Sequence, residues 1–287
     1  MFNKQHIVRT IAATASILAL SFTAACGSGQ STASNSTDSD DITQQTYKPG
    51  KLTIATGQPA YEPWVMNDKP ESGEGYEAAV AYAVADKLGF KKSDVVWTRT
   101  AFDTAIAPGA KDWDFNIQQF GITDERKKAV DFSSSYYNDS QSVVVKKDSK
   151  FANATKVSDL KDATVGVMVG TLAYDYAKAN IKDDIQTFND DAALAQALDA
   201  GQIDVLVTST VECVYMVQSE QVKDAKVLGR LPDSEDKSGM GIVLPKDSKL
   251  TAAVTKAVDD LNADGTIKKL QDKWLAEYTT DLTELKK

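Results

Sequence analysis

Short apolar runs rich in β-branched residues recur along this chain, and each leads into apolar positions at helical spacing. "KLTIAT" (51–56) is the first. Tyr76, Val80, Ala83, Val84 and Leu88 then share one face of a predicted helix, and Gly89 supplies a left-handed stop. "VVWT" (95–98), a short helical piece at 102–107 and "FNIQQ" (115–119) continue the alternation. A second set begins near Val143. It comprises the strand "ATVGVMV" (163–169), a turn into a helix over 170–180, "IQTF", a helix from about Asp190 to Ala200 stopped by Gly201, the strand "IDVLVT" (203–208), a helix to about Glu220, and "KVLGRL". Parallel strands need crossover connections, so such alternation predicts sheets covered by helices. Two similar α/β units in series follow, closed by "GIVLP" (241–245) and helices over 250–262 and 266–278.

The N-terminus sets the compartment. Lys4 and Arg9 precede an apolar stretch from Ile11 to Ala25 that ends in "TAAC", a secretory-signal pattern too short and wrongly flanked to span a membrane. The small residues before Cys26 resemble the lipobox of bacterial lipoproteins, in which cleavage leaves a lipidated cysteine; Thr23 stands where that motif usually has leucine. The other reading is ordinary secretion with a free Cys26. From Gly27 to about Thr46 almost nothing is apolar, so residues 26–47 are expected to be a lipidated cysteine and a flexible tether. Loss of 1–25 removes Lys4 and Arg9 from 32 basic residues and none of the 41 acidic ones, which takes the net charge from −9 to −11. An acidic body of this kind argues against a nucleic-acid partner.

The one histidine, His6, leaves with the signal, and the remaining cysteine is Cys213. A Ser-His-Asp or Cys-His centre, a histidine-containing zinc site and any intrachain disulfide not using Cys26 are thereby excluded. No cofactor or metal is expected. Cys213 lies in the apolar run "VECVYMV" and reads as a small buried hydrophobe.

"GITDERKKAVDFS" (121–133) poses a different question. By itself, Arg126 in "DERKK" reads as one more solvated charge. Taken with "YEPW", "GYEAAVAYAVADKLGF", "DLKDATVGVMVGT", "ALAQALDAGQIDVLV" and "LNADGTIKKLQDKWL", the stretch stands in the order and spacing of a known family. From about residue 50 to 278 the chain resembles the extracytoplasmic solute-binding proteins (family 3, polar amino acid type) of bacterial ATP-driven importers. The resemblance implies the periplasmic-binding-protein-like type II fold, with two α/β lobes joined by a two-segment hinge near Asn138–Ser142 and Asp236–Gly241. Lobe 1 would comprise 48–140 and 238–287, and lobe 2 would comprise 141–237. It also implies a monomer that takes an amino-acid-like ligand in the interlobe cleft and hands it to a membrane permease.

Residue by residue, the resemblance assigns Arg126 to the ligand carboxylate, a task that suits its planar fork of donors. Gly170, Thr171 and Leu172 match a strand-to-helix turn whose free amides face the same anion. Thr171 also reads simply as an N-cap. Gln119 and Gly121 match backbone contacts to the ligand, Gly121 lacking the hydroxyl common there. Tyr61 and Trp64 match an aromatic wall to which Phe120 could add, and core packing is the other reading of Trp64. Ser209 stands where the family has an ammonium-binding aspartate, which leaves Glu212 and Glu62 as candidate replacements or the ligand as something other than a standard α-amino acid. An N-capping Ser209 with an exposed Glu212 is the other reading. A cyclohexadienyl-dehydratase-like enzyme and a sensory module are the alternatives in function.

Overall fold

The computed structural model describes residues 41–279 and 282–287. The expected signal at 1–25, Cys26 and the expected tether up to residue 40 lie outside them. Lobe 1 contains strands β1 (Leu52–Thr56), β2 (Val95–Arg99), β3 (Phe115–Asn116) and β4 (Val130–Tyr137), with helices α1 (Tyr76–Lys87) and α2 (Phe102–Ile106). Lobe 2 contains β5 (Gln141–Lys146), β6 (Val165–Met168), β7 (Ile185–Phe188), β8 (Val205–Ser209) and β9 (Ala225–Arg230), with α3 (Leu172–Asn180), α4 (Asp191–Asp199) and α5 (Thr210–Gln218). Strand β10 (Met240–Pro245) and helices α6 (Thr251–Ala263) and α7 (Thr266–Trp274) follow.

The two sheets repeat one plan, β2-β1-β3-β10-β4 and β7-β6-β8-β5-β9. In each, the second strand pairs in parallel with both neighbours, and an antiparallel strand completes the sheet: β10 in the first, β5 in the second. All five residues of β1 are buried, as a continuous apolar run covered on both faces should be. One side of the first sheet holds Ile54, Phe115 and Ile242 against α1 and α6. In the second, Val143, Val165 and Val207 pack on one face and Leu194, Leu198, Leu206 and Cys213 on the other. Cys213 is fully buried, as its apolar run predicts.

The chain passes between sheets from β4 to β5 and returns from β9 to β10. The two crossings are bonded to each other: Asp236 N donates to Asp139 O at 2.9 Å, and Leu231 N to Gln141 O at 2.8 Å. Thr210, at the start of α5, ties its hydroxyl to those of Ser140 and Ser142 at 2.8 and 2.9 Å.

Two segments depart from the expected organisation. Residues 41–47, expected in the tether, belong to lobe 1: Asp41 caps a 3-10 turn at Ile42–Gln44, and Ile42 packs against the core. The Tyr47 amide donates to Asp114 Oδ1 at 2.6 Å, so this buried carboxylate, which also takes Thr53 N, draws the segment in. Residues 282–287, expected in lobe 1, return instead to lobe 2. Arg230 N donates to Thr283 O and Leu285 N to Arg230 O, both at 2.9 Å, which covers the free edge of β9. Gly229 permits the approach, since a Cβ there would lie 2.5 Å from Thr283 O. Leu285 is buried in the lobe 2 core. Leu285→Ala is therefore expected to lower unfolding free energy by about 2 to 3 kcal/mol in urea titrations, whereas an undocked tail would give no change.

Candidate functional site

A cavity of about 100 Å³ lies between the two sheets at the C-terminal ends of their parallel strands, lined from both lobes and from both crossings. This is where open α/β sheets place ligands, because loops and helix N-termini converge there.

Arg126 opens a 3-10 turn, Arg126–Lys128, that leads into β4; the Thr123 hydroxyl accepts its backbone N–H at 3.1 Å. Around it Asp124, Glu125, Lys127 and Lys128 are exposed and pair with one another, while Arg126 is partly buried and lines the cavity. Its Nη1 donates to Gly121 O at 2.7 Å and its Nη2 to Gly170 O at 2.8 Å, so one guanidinium spans the two lobes. Of its five N–H groups, others remain for an anion. The guanidinium lies 5.5 Å from the centroid of the Phe102 ring. Burial pulls its pKa down, and Asp175 and Asp236 oppose the shift.

Gly121 has a physical reason to lack a side chain. A Cβ there would come within 2.6 Å of Leu172 Cδ1 and 2.8 Å of Asp236 Oδ2, so lobe 2 and the second crossing both close on this backbone. Thr171 caps α3: its hydroxyl accepts from Tyr174 N at 3.2 Å and donates to Met168 O at 2.8 Å. Thr171 and Leu172 line the cavity, and the first-turn amides supply donors on that side. Gly170 is not a lining residue; it is in the left-handed region (φ 74°) and contributes the carbonyl that holds Arg126.

Gln119 lines the cavity with positive φ (52°), held by Glu77 beneath it. Glu77 accepts the Gln119 backbone N–H at 2.7 Å, the Gln119 amide and the Tyr136 hydroxyl. Burial pushes Glu77 up to about 7 against these bonds.

The aromatic wall differs in part from expectation. Tyr61 lines the cavity with its hydroxyl buried. Trp64 does not line it: fully buried, it packs on Tyr76 and Tyr137 and donates Nε1–H to Glu212 Oε2 at 3.1 Å. Phe120 is also core and stacks on Phe102 with centroids 4.5 Å apart; Phe102 is the ring that faces the cavity. Its place at the start of α2, just past the C-terminal end of β2, is the signal that marks it.

The acidic candidates separate. Glu62 is away from the cavity, its carboxylate accepting Asn67 N at 2.9 Å. Ser209 lines the cavity and caps α5, accepting Glu212 N at 3.4 Å. Glu212 is 4% exposed rather than solvated and lines the cavity, with Oε1 free of protein partners.

Residues 52–277 match the model of the bacterial extracellular solute-binding proteins, family 3. The chain belongs to this family. The L-arginine-binding protein of Pseudomonas aeruginosa is 29% identical over 245 residues, 80% of this chain and 88% of that protein. The L-cystine-binding protein TcyJ of Escherichia coli is 29% identical over 223 residues, 77% of this chain and 81% of that one. Among solved structures, an ancestral arginine-binding protein bound to arginine superposes with a TM-score of 0.67 at 30% identity, covering 79% of this chain and 98% of that one. An ancestral amino-acid-binding protein described as a precursor of cyclohexadienyl dehydratase gives 0.65 at 30% identity, covering 78% and 95%. The fold is that of the type II periplasmic binding proteins, as expected.

Three further carboxylates of this solute-binding protein reach the cleft without having been singled out in the sequence: Asp139, Asp191 and Asp236. Asp191 begins α4 just past the end of β7, and the other two sit in the crossings. Burial pushes both Asp139 and Asp191 up to about 6. Glu212 is pushed well up, first by burial and then by Asp191.

Proposed function

We propose that this solute-binding protein captures an amino acid, or a similar small polar carboxylate, in the interlobe cleft and delivers it to the permease of an ATP-driven importer. Arg126 carries the reading: a partly buried guanidinium bonded to both lobes faces a cavity whose other side is acidic. Donors at one end and acceptors at the other complement a molecule that bears a carboxylate and an ammonium. Because contacts come from both lobes, the ligand favours the closed arrangement, which is the form a permease would recognise. The relatives whose names specify arginine and cystine support a ligand of this class. In this reading the protein is a non-catalytic monomer, secreted and held to the outer face of the cell membrane through a lipidated Cys26 and the tether that follows.

A thermal-shift panel of the mature chain (26–287) against amino acids, their amides, short peptides and related acids tests the reading. A true ligand at 100 times its dissociation constant stabilises the protein by about 2.7 kcal/mol. If no carboxylate-bearing compound shifts the transition, the reading fails. Turnover of a cyclohexadienyl acid by the same preparation would replace capture with catalysis.

A further inference from the structure

Four carboxylates and one guanidinium line the cavity, and the charges are not distributed evenly. Asp236 lies by Arg126, each opposing the other's burial shift. The other three come from separate elements: Glu212 from α5, Asp191 from α4 and Asp139 from the first crossing. None of the three has an ion-pair partner among the described residues. Glu212 Oε1 is buried with no hydrogen-bond partner among the described residues, on a side chain 4% exposed, while Asp139, 8% exposed, accepts the Ser140 amide at 2.7 Å and faces the start of α5, with no cation on it. Asp191 accepts, among the described residues, only the Thr208 hydroxyl, at 3.4 Å. Among the described residues the titratable groups that face this cluster are Glu77 from α1, Asp190, Tyr61, Tyr137, Tyr215 and Cys213, none of them a cation. Desolvated, uncompensated carboxylates are costly unless a cation or a proton joins them.

We propose that Glu212, Asp191 and Asp139 form a cation-receiving pole, so that the ligand held between it and Arg126 carries more cationic groups than carboxylates. This rests on the reading of the cleft as an amino-acid site. A neutral zwitterion brings one ammonium to three carboxylates; a second ammonium or a guanidinium on its side chain matches the remainder. Burial is the main cause of all three upward shifts, and at Glu212 the charges of Asp191 and Asp139 add to it, so the three resist ionising together. The arriving cation favours the ionised form of these carboxyls, so capture releases protons near pH 6 and weakens as the pH falls.

Titration calorimetry with L-arginine, L-glutamine and L-cystine as probes, in two buffers of different ionisation heat near pH 6, tests the pole. L-Arginine is expected to bind at least about tenfold tighter than L-glutamine, with a buffer-dependent heat that reports proton release. L-Cystine, with two ammonium groups balanced by two carboxylates, is expected to bind more weakly than L-arginine. Glu212→Gln is expected to shrink the arginine-to-glutamine ratio and the proton count, and Asp191→Asn to do the same should the first variant misfold. Binding of L-glutamine or L-cystine as tight as that of L-arginine overturns the pole while leaving amino-acid capture intact, as does a ratio that neither variant changes. Failure of all three probes and of every other amino acid overturns the pole, and failure of every carboxylate-bearing compound overturns the capture reading with it.

Discussion

Arg126→Ala is expected to weaken binding of the captured amino acid by about 100-fold or more while leaving the folded protein nearly as stable as before. The guanidinium stands in a partly closed cavity, where removal of one partner of a desolvated charge pair typically costs about 2 to 5 kcal/mol. Two effects combine. On the proposed reading the ligand carboxylate loses its donor, and the lobes lose a group that bonds Gly121 O on one side and Gly170 O on the other. Arg126→Lys is not expected to restore affinity, because an ammonium lacks the planar fork that meets a carboxylate bidentately while spanning Gly121 O and Gly170 O. Affinity by calorimetry and compaction by small-angle scattering separate the two effects. Wild-type affinity in the alanine variant would return Arg126 to the status of a surface charge.

Ligand-free protein is expected to lose stability as the pH rises from about 4.5 to about 7.5, the reverse of what paired surface carboxylates produce. Glu77 is pushed up to about 7, and Asp139 and Asp191 up to about 6, in each case chiefly by burial. Their unfolded values lie near 4. Below that value both states are protonated and these groups cost nothing. Between it and the folded values the unfolded chain ionises while the folded protein keeps its protons, so folding binds protons and stability falls with pH. Each group costs about 3 to 4 kcal/mol of stability by the top of the window. Carboxylates lowered by a lysine partner, such as Asp94 and Asp199, act at more acid pH and do not offset this fall. Urea titrations at pH 5 and 7.5 measure the difference, which Glu77→Gln and Asp139→Asn should each reduce. Stability that climbs through this range would contradict the assignment of these groups as protonated and buried.

Much of the architecture is legible in the sequence because its determinants are local. The helix read from Tyr76, Val80, Val84 and the Gly89 stop is α1, and "IDVLVT" is β8 within two residues. The two exceptions depend on long-range partners. A tail with one buried leucine, Leu285, has no periodicity to read, and its docking depends on an open edge at Gly229 more than fifty residues earlier. Ile42 and Tyr47 are drawn onto lobe 1 by Asp114 through a contact that polar composition does not betray.

The site divides in the same way. Arg126, Gln119 and Gly121 follow one strand end in sequence, and Gly170 to Leu172 another, so each group could be found as a motif. The acidic side could not. Glu212 reaches the cleft with its far oxygen held by Trp64, 148 residues away, and Asp139 enters it only because two crossings lie side by side. Ser209 as N-cap is a local fact, visible in "TSTVE"; which carboxylate faces the cleft instead is a fact of the assembled lobes.

A cycle of four dissociation constants tests the central claim most directly. The amino acid that most raises the melting temperature would be compared with its carboxamide, each on wild type and on Arg126→Ala. If Arg126 grips the ligand carboxylate, the two losses overlap: the carboxamide binds the variant about as well as the amino acid does, and the coupling amounts to about 2 kcal/mol or more. Strictly additive losses, with the variant still preferring the free carboxylate by the wild-type factor, would mean that the carboxylate lies elsewhere and that Arg126 does not hold it.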